Sequence, residues 1–319
     1  MYHYDRGLFL TTAQLAVDVR RRQPRGFISH AHADHMARHE CAFCTPLTGD
    51  LYLRKFGQRL VRTLPYGQPL EVGAVCITAI PAGHCRGSAM LLADDGHTRL
   101  LYTGDFKLGP SATSEQAELP QADVLVIEST FGDPRYRLPP REVVVEQLIE
   151  IVTNTLAEGR TPVIEAYVMG KSQEVSALLV QAGIPVLQHP LIYEITEHYR
   201  RHGLPLENVH CFTDGPLPGH AVVVPPRMQK TSRLPGLSKS VTIAVSGWAY
   251  LQQSRWRLGA DHALPLSDHA DYDELIEAVE RVNPRLVLCT HGPVGFVDCL
   301  RELGHNAHRL EEAPVLAAL

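Results

Sequence analysis

At 319 residues, with 45% apolar and 20% charged side chains, the chain has the composition of a globular protein with one large core or two ordinary ones, which excludes a disordered chain. A net charge of −5 excludes a globally basic nucleic-acid binder, so any such contact has to come from a local patch. No apolar run reaches the roughly 18 residues of a membrane span, and the start MYHYDRGLFLTTAQ lacks the basic-then-apolar pattern of a secretory signal. Seven cysteines, an odd number, read as reduced thiols in a cytoplasmic protein.

Short runs rich in Val, Ile and Leu alternate with stretches of helical period, the pattern of an α/β chain. In chain order, strands are predicted over 27–29, 75–80, 89–93, 99–103 and 124–128, then a helix over 140–156 and a strand over 163–166. Helices over 171–182 and 191–202 follow, then strands over 222–224 and 242–246, a helix over 272–282, a strand over 286–290 and a helix over 294–303. Pro140 suits a first helical turn, and Gly159, Gly183 and Gly203 stand where helices end. Breaks at GDPRYRLPP and in the Pro-, Gly- and base-rich stretch 214–239 bracket a βαβα segment. The chain therefore reads as a first domain over 1–131, an inserted smaller α/β domain over 132–262, and the rest of the first domain over 263–319.

Seventeen histidines are many for this length, and they cluster. In SHAHADH, directly after the predicted strand ending at Ser29, His30, His32, Asp34 and His35 fall within six residues at a strand's C-terminal end, where α/β sheets present ligand sites. A tight turn aims His30 and His32 at one metal while Asp34 and His35 face a second. Three further strand ends carry His84, Asp105 and His291. Each alone reads as a turn former; together they make five histidines and two aspartates, a set suited to two divalent ions sharing one carboxylate. Nitrogen and carboxylate ligands without thiolate favour zinc, with manganese or iron as the other candidates. Cys41 and Cys44 beside His39 resemble half a zinc site, but no second pair follows at finger spacing.

The order H-x-H-x-D-H, then His, Asp and a late His, resembles the metallo-β-lactamase superfamily. Glu128 in VLVIESTFG, His269 in LSDHADY and His291 in LVLCTHGP resemble its β-CASP branch of RNA-processing and DNA-repair nucleases. The stretches AYVMGKSQEVSALL and SGWAYLQQSRWRLGADHALPLSDHADYDEL look most like bacterial exonucleases associated with DNA ligases. The resemblance implies a four-layer αββα sandwich with a β-CASP-like cap inserted at about 132–262. It implies His30, His32 and His84 on one metal, Asp34, His35 and His291 on the other, and Asp105 bridging them. His269 would protonate the leaving oxygen and Glu128 would orient it, so that His269, Glu128 and Asp34 form the catalytic set. The plain alternative for His269 is a structural residue capping the helix that starts near Asp271.

Substrate contacts are expected at Lys171 and Ser172, where GKS opens a helix whose free N–H groups suit a phosphate. Ser88 after His84 is a second candidate, and Arg227 and Lys230, in a run of four cations without a carboxylate, are a third. Trp248 and Trp256 read as buried rather than base-stacking. The function expected is metal-dependent phosphodiester hydrolysis, a DNA exonuclease of repair that yields 5′-phosphate and 3′-hydroxyl ends. Its partners would be single-stranded or end-containing DNA, or RNA, and a repair ligase or helicase, with no membrane. An RNA-processing nuclease, a small-molecule ester or thioester hydrolase, and a metal-free binding scaffold are the other readings.

Overall fold

A computed structural model describes residues 1–226, 236–237, 239–251 and 258–312. The chain divides into two compact units, one of Met1–Pro110, Ser114–Arg135 and His269–Leu319, the other of Ser111–Thr113 and Tyr136–Asp268.

The first unit begins with β1 (Tyr2–Tyr4), β2 (Leu8–Leu10), β3 (Leu15–Val17), β4 (Arg25–Phe27), β5 (Cys41–Cys44) and β6 (Leu60–Thr63), which form one sheet in chain order. Helix α1 (Pro46–Phe56) joins β5 to β6. Proline at its first turn and a Thr45 side chain accepting the Thr48 N–H at 3.4 Å set its start. The second sheet holds β7 (Leu70–Val72), β8 (Val75–Pro81), β9 (Ala89–Asp94), β10 (Arg99–Tyr102) and β11 (Val124–Glu128).

The other unit is an all-parallel sheet of β12 (Thr161–Glu165), β13 (Val186–Gln188), β14 (Val209–Cys211), β15 (Ala221–Val224), β16 (Ser240–Val245) and β17 (His262–Leu264), in the order β14-β13-β15-β12-β16-β17. Helices α2 (Arg141–Ala157), α3 (Lys171–Gln181) and α4 (Pro190–Arg201) bury Leu148, Val175 and Ile192 against Ile164, Val186, Val223 and Ile243. Val163, Leu187 and Val222 on the opposite face pack with Phe212.

The chain then returns to the second sheet of the first unit with α5 (Tyr272–Val282), β18 (Leu286–Thr290), α6 (Gly295–Glu302) and β19 (Ala307–Arg309). In β11 every residue is buried, and the two faces divide by parity. Val124 and Val126 join Leu286 and Leu288 in the core shared with Leu8, Leu15 and Phe27 of the first sheet. Leu125 and Ile127 join Val287 in packing on Leu275 and Val279 of α5 and Phe296 of α6. Outside the first sheet, Tyr52 of α1 packs on Ile28 and Met36. Helix, sheet, sheet and helix therefore follow one another as four layers.

The strand expected over 27–29 runs instead over Arg25–Phe27, because the chain turns out of the sheet at Ser29, whose N–H is taken by the Asp18 carboxylate at 2.8 Å. The other three- and four-residue strands of the first sheet, with β7, β13, β14, β17 and β19, carry too little periodicity to be predicted. Helix α1 did have a signal, the Thr45-Pro46 start. Trp248, expected to be buried, is 41% exposed and meets Tyr136 edge-on at 5.5 Å. Trp256 lies outside the described residues.

Leu288 is fully buried between the two sheets and Leu60 is 63% exposed on the edge strand β6. Leu288→Ala is expected to cost about 2–5 kcal/mol in urea unfolding. Leu60→Ala should stay within about 0.5 kcal/mol of the parent, and equal losses at both positions would contradict this core.

Candidate metal centre

The direction of the strands gathers the site. β8 and β10 both run antiparallel to β9, and β11 and β18 run parallel to β10, so all four end at one rim. His84 follows β8, Asp105 follows β10, Glu128 ends β11 and His291 follows β18 directly. The His30–His35 loop leaves β4 of the other sheet and meets this rim. Gly104, at φ 55°, makes the meeting possible, since a Cβ there would lie 2.8 Å from Ser29 Cβ. Gly83 does the same before His84, where a Cβ would stand 2.2 Å from the Lys107 carbonyl oxygen.

His30, His32, His84 and Asp105 present ligand atoms that all lie within 4.8 Å of one another, and His35, Asp105 and His291 form a second such group. Asp105 Oδ2 lies 3.3 Å from His35 Nε2, 3.5 Å from His30 Nε2 and 3.9 Å from His84 Nε2. His32 Nδ1 is 2.9 Å from His30 Nε2 and 3.2 Å from His84 Nε2. Asp34 stands apart from these groups, its side chain 64% exposed and Oδ2 3.9 Å from His35 Nε2.

The hydrogen bonds behind the cluster fix how the rings are presented. The Ser29 hydroxyl donates to Asp18 at 2.5 Å, so it accepts from His30 Nδ1–H at 2.9 Å. That leaves the Nε2 lone pair of His30 facing the other ligands. Burial, then the neighbouring His35, His32 and His84, hold the His30 pKa well below its ordinary value, so the ring stays neutral. His35 is the reverse: burial lowers its pKa, but Asp105 and Asp18 outweigh burial and raise it well above ordinary. Burial would raise the Asp105 pKa, yet the imidazoles of His35 and His269 hold it well below the usual carboxylate range. Neutral imidazole lone pairs and a carboxylate gathered within 4.8 Å of one another are a donor set for a divalent cation.

Asp18 was missed in the sequence. Its buried carboxylate takes bonds from Ser29 N–H, Ser29 Oγ, His35 Nδ1 at 2.8 Å and Tyr102 OH at 2.9 Å. It anchors ligands from behind, a role that leaves no local motif.

His269 approaches the rim from the start of α5, its ring 4.6 Å from that of His84. Its Nδ1 lies 3.0 Å and 3.1 Å from the two oxygens of Glu128, which is 1% exposed. Glu128 is itself fixed, accepting from Phe106 N–H at 2.7 Å and Thr130 Oγ1 at 2.5 Å. The Phe106 carbonyl in turn accepts the Ala270 N–H at 2.6 Å. Asp105, Glu128 and His269 thus form a further group of clustered donors, Glu128 and the His269 segment being tied through the one residue Phe106.

Ser88 is 1% exposed, and its hydroxyl accepts the Cys85 N–H at 3.2 Å, closing the turn after His84. Lys171 is 1% exposed, with Nζ 3.2 Å from Glu174 and 3.7 Å from Asp268. The fully buried Ser172 hydroxyl donates to the carbonyls of Ala166 and Tyr167. In place of an open phosphate cradle, Lys171 and Ser172 are engaged inside the second unit. Arg227 and Lys230 lie outside the described residues. Cys41 and Cys44 sit three apart on β5, so they take opposite faces, and burial pushes the Cys44 thiol up to about 12.

Residues 25–163 match a family model described as the Beta-lactamase superfamily domain, and residues 261–313 match one described as the Zn-dependent metallo-hydrolase RNA specificity domain. A protein named Probable DNA ligase from Opitutus terrae is 36% identical over 313 residues, which are 97% of this chain and 31% of that protein. The protein named 5′ exonuclease Apollo from Gallus gallus is 29% identical over 272 residues, 82% of this chain and 57% of its own. The chain thus spans from under a third to just over half of these curated relatives. A crystal structure of a protein of unknown function from Enterococcus faecalis shares the fold, with a TM-score of 0.58 at 15% identity over 84% of this chain and 75% of that one.

The opposed shifts of His30 and His35 are measurable. In metal-free protein, His35 is expected to titrate above its ordinary ~6.5 and His30 below it, followed by imidazole NMR. His35 then contributes stability that is complete below pH ~6.5 and is lost as pH rises through its raised folded value. The Asp105 contribution is present above ~3.9 and is lost as acid reaches its depressed value. Asp18→Asn keeps a residue that tolerates the positive φ of 48° and removes the charge behind His35. It should lower the His35 pKa and weaken zinc binding about 10–100-fold in a chelator competition.

Proposed function

The chain belongs to the metallo-β-lactamase superfamily and to its β-CASP branch, and from that premise we propose that it is a metal-dependent nuclease, a DNA exonuclease of repair. Residues His30, His32 and His84 would hold one divalent ion, and Asp34, His35 and His291 a second, with Asp105 shared; zinc suits these donors best and manganese next. Ions held there would supply neutralisation of phosphate charge and activation of a water as nucleophile.

The observation that carries the reading is His269 held by a buried carboxylate beside Asp105. With Nδ1–H donated to Glu128, protonated His269 presents Nε2–H to the leaving 3′-oxygen, and Glu128 stabilises the charged ring before transfer. Proton transfer of this kind is worth about 10²–10⁴ in rate. The products would be a 5′-phosphate and a 3′-hydroxyl. A compact ester with a good leaving group needs no such acid, so phosphodiester hydrolysis fits better than small-molecule hydrolysis. We take the second unit as the inserted β-CASP domain and the cytoplasm as the compartment, the described cysteines all being free thiols. No helix among the described residues is long and apolar enough to cross a membrane.

Two of these similarities bear on substrate and partner. The Opitutus terrae relative, named as a probable DNA ligase, supports DNA and a ligase, with a helicase as the other working partner. The RNA specificity description over 261–313 favours RNA as the second substrate.

Matched, internally labelled single-stranded DNA and RNA, incubated with zinc or manganese, test the proposal. The expected result is trimming of DNA from one end, abolished in Asp105→Ala. His269→Ala and Glu128→Gln should slow turnover about 10²–10⁴-fold while retaining metal. Internal cuts or a preference for RNA would move the protein to RNA processing. Loss of metal in Glu128→Gln, or unchanged turnover in His269→Ala, would end the proposed acid role.

A further inference from the structure

A chain of net charge −5 contains a stretch, residues 51–70, that carries Arg54, Lys55, Arg59 and Arg62 and no carboxylate. It folds as the last turns of α1, a short connection and the edge strand β6. Several cations elsewhere on this unit are answered, Arg21 by Asp5 at 2.6 Å, Arg22 by Glu40 at 3.2 Å and Arg281 by Glu277 at 3.1 Å. Among the described residues, Arg38, Lys55 and Arg59 have no carboxylate within 4.0 Å. Arg38 and Lys55 share one ring, lying 5.8 Å and 5.5 Å from the Phe56 centroid. Arg59 comes close enough to Tyr52, on the same helix as Phe56, for its charge to act on the phenol. Its Nε is buried and has no hydrogen-bond partner in the protein.

Uncompensated cations held on a rigid aromatic surface, with one guanidinium donor unsatisfied, lack an anion. The patch also has a fixed relation to the metal centre, because both belong to the first unit. The His30–His35 loop follows β4, and α1 starts at the same end of the sheet after the parallel strand β5. Its 11 residues run back over roughly 16 Å, which brings Lys55 and Phe56 to the far end. Arg38 reaches that end along the segment pinned by the Tyr52 hydroxyl on the Ala37 carbonyl at 3.0 Å. A duplex rising about 3.4 Å per pair covers the distance in about five pairs.

We propose that Arg38 and Lys55 at Phe56, with Arg59 near the adjoining Tyr52, form an exosite for the phosphate backbone of the nucleic acid that extends away from the bond being cut. The inference rests on the nuclease reading and adds to it a length requirement. Substrates too short to reach the patch bind through the metal centre alone, and longer ones gain affinity that falls steeply with salt. An anionic membrane would call for apolar side chains beside the charges, and near this patch the exposed large apolar residue is Leu60 alone among the described residues.

The test measures binding of fluorescent DNA of increasing length by anisotropy across a salt series, using the whole chain in a His269→Ala background so that turnover is slowed during the measurement. Arg38→Gln/Lys55→Gln/Arg59→Gln keeps the aliphatic stems over the rings and removes the charge. It is expected to bind long DNA about tenfold or more weakly, lose the gain with length, and flatten the slope of log K against log salt by roughly 2–3, about 0.9 per contact. Arg59→Lys, which keeps the charge, should retain most of the slope, and Arg22→Gln should leave it unchanged. An unchanged slope in a folded triple variant overturns the exosite while cleavage by the parent still stands. Binding of the parent to phosphatidylserine vesicles through these residues, with none to DNA, overturns it as well. Absence of cleavage with a patch-dependent DNA slope would instead fault the catalytic reading and leave the exosite in place.

Discussion

One buried carboxylate surrounded by imidazoles is the interaction on which the rest of the first unit depends. Asp105 is 8% exposed, and it belongs to each of three groups of clustered donors. Taking a carboxylate out of water costs several kcal/mol unless something answers its charge. Here the answer comes from His35 on one side and the His269 ring on another, while His30 stays neutral under its own burial. The site therefore has one imidazole ready to coordinate as it stands and another that must first give up its proton. Metal binding at such a site is a proton exchange as well as an association.

Putting Asp105 there needs the whole sheet. β10 and β11 pair Tyr102 with Val126, and β11 and β18 pair Glu128 with Thr290, so β11 and β18 end level while β10 stops two residues earlier and leaves Asp105 to follow at the same rim. Sliding any pair by one residue would turn Leu125 and Ile127 from the helix side to the inter-sheet core and carry Glu128 off the rim. The register is held by the two apolar layers on either side, which is why the polar residues are confined to the strand ends. One residue then couples the parts: Phe106 gives its N–H to Glu128 and takes the Ala270 N–H on its carbonyl. Glu274, in the first turn of α5, adds a second tie by accepting the Gly109 N–H at 2.6 Å and the Asp271 N–H at 3.3 Å.

What the sequence revealed and what it hid divide along the same line. His84, Asp105 and His291 stand at the ends of strongly apolar strands and are readable one strand at a time, whereas His30 and His32 are readable from the density of donors in SHAHADH. Asp18 has no such address. It precedes the loop by eleven residues, follows a three-residue strand and touches His35 only after the first sheet has formed. The basic face around Phe56 was also hidden, because Arg38 is separated in sequence from the helix that carries Lys55 and joins it only through tertiary packing. Short strands of the first sheet went unseen for a related reason: three residues cannot display a period, and pairing with neighbours makes them strands.

Lys171 shows how a motif can be right about its backbone and silent about its chemistry. Gly170-Lys171-Ser172 does open a helix after a parallel strand, the arrangement that elsewhere holds phosphate. The backbone reading depends only on local turn chemistry. Whether the lysine faces a ligand depends on what is packed around it, and here Glu174 and Asp268 approach Nζ while Arg141 approaches Glu174 at 2.8 Å. Two cations and two carboxylates make a neutral set, which tolerates burial far better than a lone ammonium. Asp268 is also the last residue of the second unit, directly before His269. The charge of the lysine is therefore answered within the second unit.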